Sequence, residues 1–268
     1  MAPDEVIRGR MEAPAAGRPM LSEAELERRR GRPWTLEVVK AFDIGPRMRR
    51  LQLILTGDAA GEFQPKPGQE IVLQIPHAAG DVARRHYTIR RYDAATRLMD
   101  VDFVLHGHRT PGVGWSLDAK PGDAIDIRGP RGRIGLDPAA DWHLFLGDET
   151  AIPAILALIE AMPKNARAFA FLEIGTDEDK QELSSAADLT LQWRLRNGAA
   201  PGPNNLLLDA LAGFVFPAGK GHAIVVGETS NVRNQRHALL ARGFDRSQIY
   251  AEGYWRPDRI GGHDHVND

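Results

Sequence analysis

In the stretch RRHYTIRRYD, residues 84–93, Arg84, Arg85, Arg90 and Arg91 surround Tyr87 and Thr88. An arginine fork neutralises a pyrophosphate through paired N–H donors better than the point charge of a lysine does. A tyrosine beside it offers a flat face to a planar ring. A threonine hydroxyl or backbone group hydrogen-bonds a ring edge. Together these groups describe a cradle for a flavin. Taken alone, the same residues also make a charged barrel strand with one core tyrosine, and both readings stand at this point.

Two further segments repeat one pattern. LFLGDETAIPAILALI (144–159) and IVVGETSNVRNQRHALL (224–240) each run apolar strand, glycine, acid, threonine, helix. In an open parallel sheet both turns lie at the carboxyl edge, where such sheets bind ligands. Helix N-termini there present free N–H groups to an anion or a polar ring edge. Gly227, Glu228 and Thr229 are thereby expected to wall a nicotinamide pocket. Glycine and threonine also make a good turn and cap with no ligand, so the pair favours a nucleotide site only in combination. Neither G-x-G-x-x-G nor G-x-x-x-x-G-K-[ST] occurs, which leaves the usual dinucleotide fingerprint and the P-loop unsupported.

Glu173 closes a strand at a place where an acid commonly bonds an adenosine ribose, and the acidic TDEDKQE that follows leans toward NADH; a solvated loop is an equal reading. His263 and His265 near the end have no clustered ligands at zinc spacing, so no metal site is expected.

The elements that must position these residues fall into two groups. WTLEVVKAF, RMRRLQLIL, EIVLQIP, HYTIRRY, RLMDVDFVLH and DAIDIRG read as six short strands separated by turn signals such as KPG and AAGD, which predicts a small antiparallel barrel over 34–136. From 137 to 268 the strands WHLFLG, ARAFAFLEIG, LTLQWRL, HAIVVG and QIYAEGYW alternate with helical patterns at AIPAILALIEAM, NLLLDALAGF and SNVRNQRHALLARGF. That alternation predicts an α/β domain with a parallel sheet. The first 33 residues read as a flexible lead with a short helix capped at Ser22. They lack the apolar core of a secretory signal, and their acidic residues fit a transit peptide poorly. The tail GGHDHVND reads as frayed.

Of 268 residues, 43% are hydrophobic and 26% charged, a globular balance, and the net charge of −2 gives no reason to expect nucleic acid or an anionic membrane as partner. No apolar run reaches the ~20 residues that cross a bilayer. There is no cysteine, which excludes thiol nucleophiles and cysteine-ligated iron–sulfur clusters; electrons moved here need an organic cofactor. A cytoplasmic monomer is the expectation.

Arg85-His86-Tyr87-Thr88 resembles the Arg-x-Tyr-Ser/Thr flavin motif of the ferredoxin-reductase superfamily. With GPRMRRLQL (45–53), DFVLHG (102–107), a tryptophan nine residues after that histidine, GDETAIPAI (147–155) and GYWR (253–256), the chain from about 34 to 260 resembles the siderophore-interacting proteins, FAD-dependent ferric-siderophore reductases. The resemblance implies that Arg85 pairs with FAD phosphate, Tyr87 stacks on the isoalloxazine and Thr88 bonds its edge. Val104 and His106 would line the FAD beyond the ring, and the stretch Thr110, Gly112, Val113 and Trp115 would wrap the pyrophosphate. Asp148, Thr150 and Ala151 would close over the flavin from the nicotinamide side. The family usually carries a Ser or Thr where this chain has Val113, so only backbone N–H groups remain there, and Gly112 would let that backbone approach.

The resemblance implies NADH or NADPH as donor, ferredoxin as an alternative one, and a ferric siderophore as acceptor; no side chain acts as acid, base or nucleophile. Arg256 and Arg259 would meet an anionic siderophore, with Arg47, Arg49 and Arg50 as rivals. The alternatives are a flavin, quinone or ferredoxin-type reductase of the same architecture, and a siderophore carrier without redox chemistry.

Overall fold

The computed structural model describes residues 31–77, 80–259 and 264–266. The lead with its Ser22 cap, and His263, lie outside the described residues. In the first half, β1 (Pro33–Gly45), β2 (Met48–Thr56), β3 (Glu70–Pro76), β4 (Val82–Asp93), β5 (Leu98–Val104) and β6 (Ala124–Arg131) close into an antiparallel barrel of order β1-β2-β5-β4-β3-β6. Alternate residues point inward, as the period of two requires: Leu51, Leu53 and Leu55 from β2, with Ile71, Leu73 and Ile75 from β3, are buried in one core with Phe103 and Ile127.

The barrel is unevenly zipped. β4 pairs with β3 from Val82 to Thr88, but its pairing with β5 begins only at Ile89 opposite Val101. The first half of β4, which carries Arg84 to Thr88, therefore faces β5 without a ladder. Between β5 and β6 the chain forms α1 (Pro111–Asp118), a helix the sequence reading did not anticipate. Its signals are Pro111 in the first turn, where the missing N–H costs nothing, and Thr110 in extended conformation before it.

The second half is a sheet of order β12-β11-β10-β7-β8-β9, from β7 (Trp142–Gly147), β8 (Arg167–Ile174), β9 (Asp188–Leu195), β10 (Gly221–Glu228), β11 (Ile249–Trp255) and β12 (Asp264–His265). β7 to β11 are mutually parallel. β7 and β10 are buried throughout, as central strands covered on both faces must be. One face carries α2 (Ile152–Glu160); the other carries α3 (Leu206–Ala212) and α4 (Thr229–Ala241). The chain winds outward from β7 through β8 to β9, then returns to β10 on the other side. The switch point thus lies between the carboxyl ends of β7 and β10, where open sheets bind ligands.

Two features depart from expectation. The tail is not wholly frayed: β12 pairs antiparallel with Glu252 and Gly253 of β11, covering a strand edge that otherwise leaves N–H and C=O groups unpaired. The β8–β9 crossover holds no α-helix, only a 3₁₀ turn at Asp177–Asp179 capped by Thr176, while Leu183 and Ala187 pack on the core. Among the described residues no helix is long and apolar enough to cross a membrane.

The two halves meet through α2 and β4. Arg90, 3% exposed, donates two hydrogen bonds of 2.7 Å to Glu160 at the end of α2. Burial works against ionising Glu160, but the bonds and charge of Arg90, with Arg91, outweigh it and hold the carboxyl below its ordinary range. Gly68 lies against Ile134 and Leu158 at positive φ, where no side chain fits.

Candidate functional site

The structure divides the basic decapeptide. Arg90 and Arg91 serve Glu160, whereas Arg85, half-buried, donates only to the Arg84 carbonyl at 2.8 Å and meets no carboxylate among the described residues. Tyr87 is wedged between two elements. Its ring centroid lies 4.1 Å from that of Phe103, which in turn lies 5.9 Å from Trp115. Its hydroxyl rests on Gly112, where a Cβ would stand 2.0 Å from the oxygen. Burial pushes the phenol far above its ordinary pKa, the Arg85 charge only partly opposing this, so Tyr87 stays neutral. The space that Gly112 leaves is taken by this hydroxyl.

Thr88 is buried beside it. Val104 ends β5 half-buried. His106 is exposed, and partial burial with the charge of His108, 6.3 Å away ring to ring, lowers its pKa. Val113 is buried, so its backbone alone faces outward chemistry, and the hydroxyl of Thr110 makes no cap bond. The N–H groups of Gly112 and Val113, in the first turn of α1, have no intrahelical acceptor.

At the switch point one carboxylate gathers three strand ends. Asp148 Oδ1 accepts from the Thr150 N–H (2.9 Å) and hydroxyl (2.6 Å), and its Oδ2 from the Glu228 N–H (2.8 Å) and Trp255 Nε1 (2.8 Å). Gly227, at φ +140, allows this: a Cβ there would stand 2.7 Å from Oδ2. This geometry commits two of the expected ligand-binding residues to partners within the protein. Asp148 has its oxygens spent on protein donors, and Ala151 is fully buried with its N–H on the Asp148 carbonyl. Both hold Thr150, half-buried, in place. Thr229 is likewise committed, donating its hydroxyl to the Trp255 carbonyl at 3.0 Å. Glu228 caps α4 through one oxygen, on the Asn231 N–H at 2.8 Å; the other is buried without a partner.

The arginines once set against one another as substrate contacts also separate. Arg50 makes two bonds to buried Asp102, and Arg49 bonds the Ser116 carbonyl and Asp43. Arg47 lies over Gly175 in the second half. Arg256 and Arg259 are exposed at the end of β11. Glu173 is not free for a ribose: 2% exposed, it accepts from Arg196 and Asn204, while Arg196 also clasps Glu149. Burial, abetted by Asp148, raises the Glu173 pKa despite those bonds. Arg196 and Glu149 were missed because their pairing spans 47 residues, a separation that no local spacing reports.

Arg85 without an acid, and two free N–H groups at the start of α1, form the donor set that a pyrophosphate needs. A neutral, desolvated Tyr87 between them is a wall for an apolar ring system. The residues present fit a flavin dinucleotide.

The model of the siderophore-interacting FAD-binding domain matches residues 76–134, and that of the siderophore-interacting protein matches 140–258. The ferric vibriobactin reductase ViuB of Vibrio cholerae is 36% identical over 228 residues, 77% of this chain and 83% of its own. The solved structure of a siderophore utilization protein from T. fusca superposes with a TM-score of 0.78 at 34% identity, covering 85% of this chain and 94% of that one. The siderophore-interacting protein SipS from Aeromonas hydrophila gives 0.75 at 30% identity, covering 86% and 94%.

Proposed function

The chain belongs to the siderophore-interacting protein family, and from that premise we propose that it is a flavin-dependent oxidoreductase that takes electrons from a nicotinamide dinucleotide and delivers them to the Fe(III) of a docked siderophore. Bound FAD supplies the conversion from hydride acceptance to single-electron donation. One hydride carries two electrons, so each dinucleotide reduces two ferric chelates to Fe(II) and leaves one proton over. Hard oxygen donors hold Fe(III) far better than Fe(II), so the reduced metal leaves the chelate. A reducing compartment supplies such a donor, which places the reaction in the cytoplasm.

The chain's own groups bind and orient. Arg85 and the Gly112 and Val113 N–H groups neutralise the pyrophosphate, and Thr88 bonds the ring edge. Tyr87 stays un-ionised and keeps water from that side of the ring. Thr150, fixed by Asp148, closes the opposite side, and the unpartnered oxygen of Glu228 accepts from the nicotinamide carboxamide. Arg256 and Arg259 meet the anionic substrate. The observation that carries the reading is Tyr87, half-buried on β4 against Phe103 and the start of α1, two residues after an arginine that meets no acid among the described residues.

Anaerobic stopped-flow absorbance tests it. NADH or NADPH is expected to bleach a flavin band near 450 nm, and ferric catecholate, hydroxamate or citrate chelates to restore it with two irons reduced per dinucleotide. Purified protein that stays colourless after incubation with FAD, or reduced protein that ferric chelates do not reoxidise, defeats the proposal.

A further inference from the structure

At the amino edge of the sheet, the end opposite Asp148 and Glu228, two histidines face each other. His143 on β7 and His222 on β10 are register partners on adjacent parallel strands. They point to the face that carries α2, as Phe145 and Ile224 two residues on do. They are 6% and 7% exposed, with ring centroids 5.5 Å apart and planes at 87°. Each keeps one buried nitrogen with no hydrogen-bond partner, Nε2 of His143 and Nδ1 of His222. Asp137, in the connection between the halves, lies beside both. Its backbone takes a hydrogen bond from the His143 ring, and its carboxylate acts on both rings through its charge.

Buried imidazole nitrogens that the chain itself leaves unmet need a partner from outside it, because leaving them unmade is costly. We propose that His143 and His222 hold a divalent first-row transition ion, with Asp137 as the third ligand and water completing the set.

Geometry and chemistry agree. Imidazole nitrogens about 2.0–2.1 Å from a tetrahedral ion put the two ring centres about 5 Å apart, close to the 5.5 Å here. The Asp137 backbone on the other side of His143 is the outer contact that fixes a ligating tautomer. Burial lowers the pKa of both rings and keeps them neutral, the form that binds a metal. Two imidazoles and a carboxylate, in a chain without cysteine, suit zinc or ferrous iron, whereas magnesium and calcium take oxygen. Asp137 is held at present by Lys220 Nζ at 2.7 Å and the Ala139 N–H at 2.9 Å, and no three ligating groups stand ready together among the described residues. It joins the site by exchanging Lys220 for the ion. The lysine side chain is 46% exposed, so releasing it into water costs little. The bound ion would then tie the connection to the two central strands.

Isothermal titration of the chelator-stripped flavoprotein with Zn(II) should show a single site per chain. His143→Gln or His222→Gln should weaken binding by more than the about 10- to 100-fold that loss of an outer contact costs, and Asp137→Asn by about 10-fold or more. Lys220→Met should tighten it by about 3-fold, because it frees the carboxylate and removes a cation. Such a gain cannot come from misfolding. His106 and His108, 6.3 Å apart ring to ring, are an exposed rival pair, and His108→Gln should leave the affinity unchanged. Two sources supply such an ion. Zinc retained through purification marks a resident metal, whereas a chain that purifies empty and takes up Fe(II) anaerobically at the same pair marks the ion released from a reduced chelate. No Zn(II) binding by the parent, binding that His222→Gln leaves intact, or binding that His108→Gln removes overturns the proposal. Flavin reduction and reoxidation are read separately, so none of these results bears on the proposed function.

Discussion

Replacing Gly112 by alanine sets helix propensity against packing, with opposite signs. In α1 the added methyl should by propensity alone stabilise by up to about 1 kcal/mol. The structure says otherwise, because the new Cβ would stand 2.0 Å from the Tyr87 hydroxyl oxygen. An ordinary carbon–oxygen contact is about 3.4 Å, so the hydroxyl must withdraw by roughly 1.4 Å. Phe103, 4.1 Å behind the ring, blocks that retreat. An overlap of this size belongs in the upper half of the about 1–3 kcal/mol that overpacking costs, leaving a net loss of about 1–2 kcal/mol. Urea unfolding measures the loss, and the ratio of flavin to protein absorbance after purification should fall with it, since the displaced ring is the proposed wall of the flavin site. Tyr87→Phe should rescue it: the nearest remaining ring atom to the new methyl is Cζ at 3.1 Å, a few tenths short of comfortable. A double-mutant cycle should therefore show favourable coupling. Gly112→Ala as stable and as yellow as the parent, or no relief from Tyr87→Phe, would refute the placement of Tyr87.

Asp148→Asn turns an amide N–H₂ toward two donors, either the N–H groups of Glu228 and Trp255 or the N–H and hydroxyl of Thr150. Two unmade bonds at about 1–3 kcal/mol each predict a loss of about 2–6 kcal/mol in urea unfolding, against about 1 kcal/mol for Trp255→Phe; a loss below 1 kcal/mol for the asparagine contradicts the shared hub. Arg90→Met leaves Glu160 at the domain junction with only the exposed Arg91, 3.7 Å away, and should cost about 2–4 kcal/mol, whereas Arg90→Met with Glu160→Met should recover most of it; a double variant no better than the single one removes the pair from the account. His222 on β10 packs edge-on against His143 at 5.5 Å, and burial, with the charge of His143, depresses its pKa from 6.5 to about 4. Its folded pKa lies below the unfolded one, so the unfolded chain binds the proton first as pH falls. Stability is full above pH 6.5, declines by about 2–3 kcal/mol toward pH 4 and then levels. His222→Gln should flatten that slope, and an unchanged slope would acquit the histidine.

Local pattern carried the architecture and stopped at long-range pairing. The six barrel strands and five parallel strands were legible because alternation and buried apolar runs are properties of a few consecutive residues. α1 was not, since PGVGWSLD holds two glycines and only the Pro111 start signal marks it. Tyr87 and Thr88 stood out by residue type, yet nothing nearby showed that Arg90 and Arg91 belong to Glu160, 70 residues on, while Arg85 does not. Glu173 looked available for the same reason; the cation that claims it arrives 23 residues later. Asp148 and Trp255, 107 residues apart, each sat in a recognisable segment, and only the fold reveals that they bond each other.

Those long-range pairs also determine how the two halves are held together. α2 starts beside Thr150 at the Asp148 hub and ends at Glu160, nine residues and about 14 Å later. There Arg90 holds it to β4, three residues and about 10 Å from Tyr87 along the strand. Strand, ion pair, helix and hub form a continuous run of stiff members from Tyr87 to Thr150, and Ile134 of the 132–141 connection is itself buried in the core with α2. The separation of Tyr87 and Thr150 is therefore set by packing between the halves, the connection's Ile134 and Leu136 included. The decapeptide thus contains two arginine environments: Arg90 and Arg91 spend their charge on Glu160 and so fix the frame, whereas Arg85 meets no carboxylate among the described residues.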